Sequence, residues 1–231
     1  VTQPALLVPR RPPQSPLVDL TVGDCRDDEW LEGCEGAQLA IVDPPWSYDG
    51  PHPTADPGLT YACMATEEIA TLVARLSFAV PTIAVWCTWP LLEEWMVAFR
   101  AACALPYRSG GAWAKSDGRS GHYGPGYWWA GCSEPILVYA RPGGDPDRSA
   151  RLRNAWYEPP EEHSRKPVAW QADMISRWTD PGATIVDPFA GLGSVAEAVL
   201  LAGQGRRYRG REVSAERAEQ ALALVAQGRG R

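Results

Sequence analysis

The chain has 231 residues, 45% hydrophobic and 22% charged, enough to bury the core of one large domain or two small ones and too apolar for a disordered chain. No apolar run approaches the ~18 residues of a membrane span. The six cysteines (Cys25, Cys34, Cys63, Cys87, Cys103, Cys132) form no C-x-x-C pair, and the three histidines show no metal-ligand spacing. This supports neither a metal site nor a disulfide framework, and a reduced cytoplasmic protein is expected. The net charge of −6 disfavours a nucleic-acid binder, but residues 1–99 hold 4 basic and 14 acidic groups and residues 100–231 hold 18 and 14. A locally basic face can still meet phosphates.

The proline-rich start, residues 1–16, reads as a flexible arm, with a single domain over 17–231. Strand-type apolar runs follow at 17–24, 37–43, 81–88, 134–140 and 183–189, with weaker ones at 111–115 and 206–213. Continuous apolar strands belong to a sheet covered on both faces. Helical patterns lie between them at 66–77, opened by Thr66 as N-cap, and at 90–103, 166–179, 193–203 and 214–228. The alternation predicts an α/β, doubly wound, mostly parallel seven-stranded sheet.

Two stretches stand apart. The first, "IVDPPWSYDG" (41–50), ends an apolar strand at Asp43, stiffens the exit with Pro44-Pro45 and then presents Trp46. An Asp-Pro-Pro turn can be simple punctuation, and a tryptophan after it can be core. The second, 106–165, interleaves aromatics and cations with glycines. Its segment 116–131 carries too many glycines for a helix or a central strand. Rings beside cations on a loop suit stacking on bases, although several of them can equally fill the core.

"TIVDPFAGLGSVAEAVLLAG" (184–203) reads as strand, tight turn and helix with Gly191-x-Gly193-x-x-Ala196, and Glu212 follows 21 residues after Gly191 at the end of the next strand. This order predicts a pocket for an adenosine-containing cofactor, with Glu212 on the ribose hydroxyls. A dinucleotide and S-adenosylmethionine both fit the turn. Asp187, just before it, would repel a pyrophosphate and attract a sulfonium, which favours S-adenosylmethionine.

Together "DPPW" (43–46), "HSRKP" (163–167) and "DPFAGLGS" (187–194) resemble the β-class, circularly permuted amino-methyltransferases that modify exocyclic amines of bases. With "WAK" (113–115) and "GYWWAGCSEPILVYARPG" (126–143), the chain is similar to the subgroup of DPPW-type adenine-N6 enzymes, from about Leu17 to Ala223. The resemblance implies a Rossmann-like methyltransferase fold and a catalytic set of Asp43, Pro44, Pro45 and Trp46. In it the Asp43 carboxylate and the Pro44 carbonyl accept the two amine hydrogens, and Trp46 stacks on the base. It further implies that Asp187, Phe189, Gly191 and Gly193 line the cofactor pocket beside Asp43. Lys166 and Ser164 would reach the methionine carboxylate, and Asp24 the cofactor's adenine amine. Lys115 is expected against cofactor or target.

The expected reaction is methyl transfer to adenine N6 in DNA. A flipped or single-stranded base would be covered by loop 116–131, with Tyr127 and Trp128 as stacking rings. Cytosine N4 in DNA and adenine N6 in RNA are alternative targets, Asp43 as the first tetrad member favouring adenine. A non-catalytic binding subunit is the reading from another class. The expected assembly is a monomer or homodimer, without membrane or metal.

Overall fold

The computed structural model describes residues 16–47, 63–116, 128–129, 131–143, 151–160 and 165–228. In chain order they form β1 (Val18–Val22), α1 (Asp28–Glu32), β2 (Leu39–Val42), α2 (Thr66–Ala79), β3 (Thr82–Trp86), a 3-10 turn (Trp89–Leu91), α3 (Leu92–Ala102), β4 (Tyr107–Ala114) and β5 (Ser133–Ala140). β6 (Ala155–Tyr157), α4 (Val168–Trp178), β7 (Thr184–Asp187), α5 (Ser194–Ala202), β8 (Arg207–Glu212) and α6 (Ala215–Gly228) complete them. The sheet order is β1-β8-β7-β2-β3-β5-β4-β6, with β5 antiparallel to both its neighbours and every other pairing parallel.

The central strands explain why the helices take both faces. All four residues of β2 are fully buried, so each pleat direction needs a cover. Ala40 and Val42, with Ile83 and Val85 of β3, point into the cluster built with α1, α2 and α3. Leu39 and Ile41, with Ala84 and Trp86, point into the cluster built with α4, α5 and α6. Successive residues thus feed opposite cores, as a doubly wound α/β sheet requires.

The sheet has eight strands where seven were expected. The extra one is β6, three residues inside the aromatic and basic stretch 106–165. It is legible only through its partner: Ala155, Trp156 and Tyr157 pair with Ala112, Trp113 and Ala114 of β4. The short α1 was also missed, being a single turn that buries Trp30 and Leu31. Thr66, expected as a helix cap, is the first helical residue of α2, and the Glu68 carboxylate accepts the Ala65 amide at 3.1 Å instead. Residues 1–15, most of the glycine-rich loop including Tyr127, and Ser164 lie outside the described residues. Among the described residues no helix is long and apolar enough to cross a membrane.

This topology sets the site. β7 is followed by a crossover through α5 to β8 on one side, and β2 by a crossover through α2 to β3 on the other. The adjacent β7 and β2 therefore flank the point where the winding reverses. A crevice must open there, beyond the carboxyl ends of the strands.

Candidate active site

A cavity of about 500 Å³ opens at that crevice, a volume in the usual range for a small-molecule site. Its wall brings together the two motifs that the sequence keeps ~140 residues apart: Asp43, Pro44 and Trp46 after β2, and Asp187, Phe189 and Gly191 after β7. Asp24 after β1 and Glu212 at the end of β8 extend the wall along the same edge. Parallel pairing accounts for the convergence, since strands that run the same way finish on the same side.

The glycine turn has the backbone the sequence demands. Gly191 and Gly193 have φ of +51° and +78°, a region costly to side chains. A Cβ on Gly193 would also lie 3.1 Å from that of Ala221 on α6. Glu212 is buried and holds the turn from the next strand. One of its oxygens accepts the Gly191 amide at 2.8 Å, and the other accepts the Ser214 amide at 2.9 Å. Expected as a ribose ligand, Glu212 thus also ties β8 to the turn, and each carboxylate oxygen has a further lone pair.

Asp187 is 1% exposed and has no cationic partner among the described residues. Its carboxyl receives the Phe189 amide at 3.1 Å and the Tyr208 hydroxyl at 3.0 Å. Burial pushes its pKa up to about 7, against these two hydrogen bonds and with help from the nearby Asp43 and Glu212 charges. It therefore holds its proton more tightly than an ordinary carboxyl, and a cation in the cavity would favour its charged form.

The Asp-Pro-Pro exit is held by its own backbone. The Trp46 amide donates to the Pro44 carbonyl at 3.0 Å, a tight three-residue turn, and the Met64 amide donates to the Pro45 carbonyl at 2.8 Å. The Pro44 oxygen therefore already accepts one hydrogen bond and keeps one lone pair for another. Trp46 lines the cavity but is only 8% exposed, its ring edge-on to Trp95 at 5.6 Å. It is a core residue as well as a wall residue, so the two sequence readings of it are not exclusive.

Lys166, expected at the methionine carboxylate, lines the cavity and is also engaged within the chain: its ammonium donates to Asp43 at 2.7 Å and pairs with Glu134 at 3.2 Å, at 8% side-chain exposure, which leaves one of its three N–H donors. Two carboxylates raise its pKa against the opposing effect of burial, so it stays an ammonium. Burial raises the Asp43 pKa, and Lys166 opposes that shift. Glu134 is held below the usual carboxylate range because Lys166 and Lys115 together outweigh its desolvation.

Lys115, expected against cofactor or target, pairs with Glu134, which lines the cavity, and lies 5.3 Å over the Trp113 ring. Asp24 is likewise occupied, both its oxygens accepting from the Arg26 side chain at 2.6–3.1 Å, which lowers its pKa. Trp128 is 92% exposed. Glu134 was not singled out from the sequence. Its signal, an acid at the start of an otherwise apolar strand, mirrors that of Asp43 at the end of one.

Residues 115–223 match the family described as DNA methylase, of the N6/N4 type. No curated protein matches the chain. Among solved structures, TTHA0409 of Thermus thermophilus in complex with S-adenosyl-L-methionine has a TM-score of 0.66 at 22% identity, over 91% of this chain and 93% of that one. The M1.HpyAVI–SAM complex has a TM-score of 0.65 at 16% identity, over 89% and 98%. PvuII DNA methyltransferase, cytosine-N4-specific, has a TM-score of 0.65 at 12% identity, over 93% and 92%. The fold is the Rossmann-like one these enzymes share.

Proposed function

We propose that this chain, whose residues 115–223 carry the DNA methylase match, transfers a methyl group from S-adenosylmethionine to the exocyclic N6 amine of adenine in DNA. One observation carries the reading: a carboxylate and a proline carbonyl set for hydrogen-bond acceptance share one crevice with a glycine turn and a buried, cation-seeking acid. The cofactor assignment draws on the sulfonium argument at Asp187 and on the two structural neighbours solved with that molecule.

The residues present fit the cofactor. Gly191 and Gly193 leave the turn without side chains, Phe189 offers an apolar wall, Glu212 offers lone pairs for ribose hydroxyls, and Asp187 offers charge for a sulfonium-bearing group. When bound, S-adenosylmethionine supplies an electrophilic methyl group on a positively charged sulfur. The chain's own part is to raise the nucleophilicity of an amine whose lone pair is delocalised into an aromatic ring. Asp43 accepts one N–H and the spare lone pair of Pro44 accepts the other, which draws the nitrogen toward tetrahedral geometry. The two prolines and the Trp46–Pro44 hydrogen bond hold the carbonyl in place before the base arrives, so little entropy is lost on binding. Lys166 favours the accepting, deprotonated form of Asp43 against the opposing effect of burial.

Trp128 and Tyr127 would stack on bases of a flipped-out or single-stranded target, within a single domain whose segment 106–165 meets the nucleic acid. Asp43 at the head of the tetrad favours adenine. The likeness to a cytosine-N4-specific enzyme supports N4 of cytosine as the second reading. Incubating the protein with labelled cofactor and unmethylated DNA, then identifying the modified nucleoside by mass spectrometry, tests both. The expected product is N6-methyladenine, absent with Asp43→Ala. N4-methylcytosine would move the assignment to the second reading, and no label in DNA would reject both.

A further inference from the structure

Gln171 stands within the buried run of α4, among Trp170, Ala172, Met174 and Ile175, which belong to the apolar cluster that α4 shares with α5, α6 and the sheet. It is 1% exposed and lines the active-site cavity. Its amide nitrogen and amide oxygen are both buried without a hydrogen-bond partner from the chain among the described residues. No other described residue has both a donor and an acceptor in that position. A buried amide without partners destabilises a fold, and a methionine or leucine would complete the same apolar layer without that penalty. Packing therefore does not explain an amide here, whereas a ligand that reaches it from the cavity does.

The sheet order indicates which part of the cofactor comes near. Along the crevice the strand ends run β1, β8, β7, β2, and carry Asp24, Glu212, Asp187 and Asp43 in turn. Strand spacing makes that row ~14 Å long, enough for a nucleoside and the sulfur beside it. With ribose at Glu212 and sulfur at Asp187, the methyl group faces the target amine on the Asp43 side. The amino-acid chain is the remaining substituent of that sulfur. It is left the space where α4 and α5 begin, lined by Arg165, Lys166, Gln171 and Ser194. The ionised groups there are already matched within the chain: Arg165 pairs with Glu197, and Lys166 with Asp43 and Glu134. A zwitterion of no net charge needs no surplus charge from the wall. It needs an acceptor for its ammonium and a donor for its carboxylate, and one amide supplies both.

We propose that Gln171 is a binding residue for the amino-acid end of S-adenosylmethionine, its side-chain amide accepting from the ammonium and donating to the carboxylate. The inference rests on the S-adenosylmethionine reading of the cavity. The terminal torsion of a glutamine is soft, so the amide turns to the ligand without movement of α4. In the free protein the unpaired amide lowers stability, and the ligand offsets this on binding. Removing the amide should therefore move stability and affinity in opposite directions.

Calorimetric titration of the full chain with S-adenosylhomocysteine and with methylthioadenosine tests it, because both are thioethers of the same adenosine and only the first has the amino-acid end. Gln171→Met, which keeps the linear stem, should bind S-adenosylhomocysteine about tenfold or more weakly than the wild type. Its affinity for methylthioadenosine should stay within about twofold, which also shows that the variant is folded. In thermal melts the ligand-free variant should unfold about 2 °C or more above the wild type. Gln171→Leu repeats both measurements with a different apolar shape. Unchanged affinity for S-adenosylhomocysteine would overturn the proposal, because the amide then meets no ligand. Equal weakening of both compounds would also overturn it, because the residue then shapes the pocket as a whole. Ligand-free variants that both melt below the wild type would overturn it by showing the amide already satisfied. A wild type that binds neither compound is a distinct result, and would overturn the cofactor reading together with this inference.

Discussion

Replacing Lys166 by methionine isolates what its ammonium does, because the linear stem is kept and only the charge is lost. In the native protein that ammonium sits 2.7 Å from Asp43 and 3.2 Å from Glu134, which leaves the two carboxylates at most about 6 Å apart once it is gone. At an effective dielectric of ~20 their repulsion is ~3 kcal/mol. Asp43 is about a third exposed to the cavity (34%), so solvent screening reduces this to ~1–2 kcal/mol. The strain is relieved by protonating Asp43, whose pKa burial already raises, and a protonated Asp43 no longer accepts from the amine with full strength. The turnover number at pH 7 should fall roughly tenfold or more, at ~1.4 kcal/mol per decade, and recover as pH rises toward 9. Lys166→Arg should keep most of the activity. Initial rates of methyl transfer to DNA between pH 6 and 9.5, at saturating cofactor, read this out. A Lys166→Met enzyme with wild-type turnover and an unmoved acidic limb would refute the claim that the lysine favours a charged Asp43.

Other perturbations address separate parts of the site. Asp43→Asn should retain cofactor affinity within a few-fold, as measured by calorimetry, while turnover drops ~10²–10⁴-fold. Asp187 holds its proton more tightly when folded (about 7, against 3.8), so stability of the ligand-free protein should decline as pH rises from about 4 to about 7, by on the order of 4 kcal/mol. Thermal melts at fixed ionic strength should show this decline, and Asp187→Asn should flatten it. For the same reason the affinity ratio of S-adenosylmethionine to its uncharged product should increase through pH 7. Gly193→Ala, at φ +78° with Ala221 3.1 Å from the new Cβ, should cost ~1–2 kcal/mol in denaturant unfolding and weaken cofactor binding. Trp128→Ala should raise KM for DNA by about fivefold or more, since base stacking contributes ~1–3 kcal/mol, and leave cofactor affinity unchanged.

The local parts of this protein are legible in its sequence. The apolar runs of β2, β3 and β7 announce buried strands because a strand covered on both faces cannot tolerate alternating polarity. Gly191 and Gly193 announce a left-handed turn because few other residues sit there without strain, and Asp43-Pro44-Pro45 announces a stiff strand exit because proline restricts its own φ. These are properties of a residue and its immediate neighbours, and reading in order recovers them. What tertiary structure alone decided is who meets whom across the sheet. β6 is a strand only because β4 offers it an edge. Lys166 meets Asp43 and Glu134 at the cavity wall because the approach to α4 delivers it between strands 123 and 32 residues earlier in the chain. The Asp187 pKa is pushed up to about 7 because the fold buries it, with no cationic partner among the described residues. Charge pairing and desolvation depend on distances between residues far apart in the chain, and no local pattern of side chains encodes them.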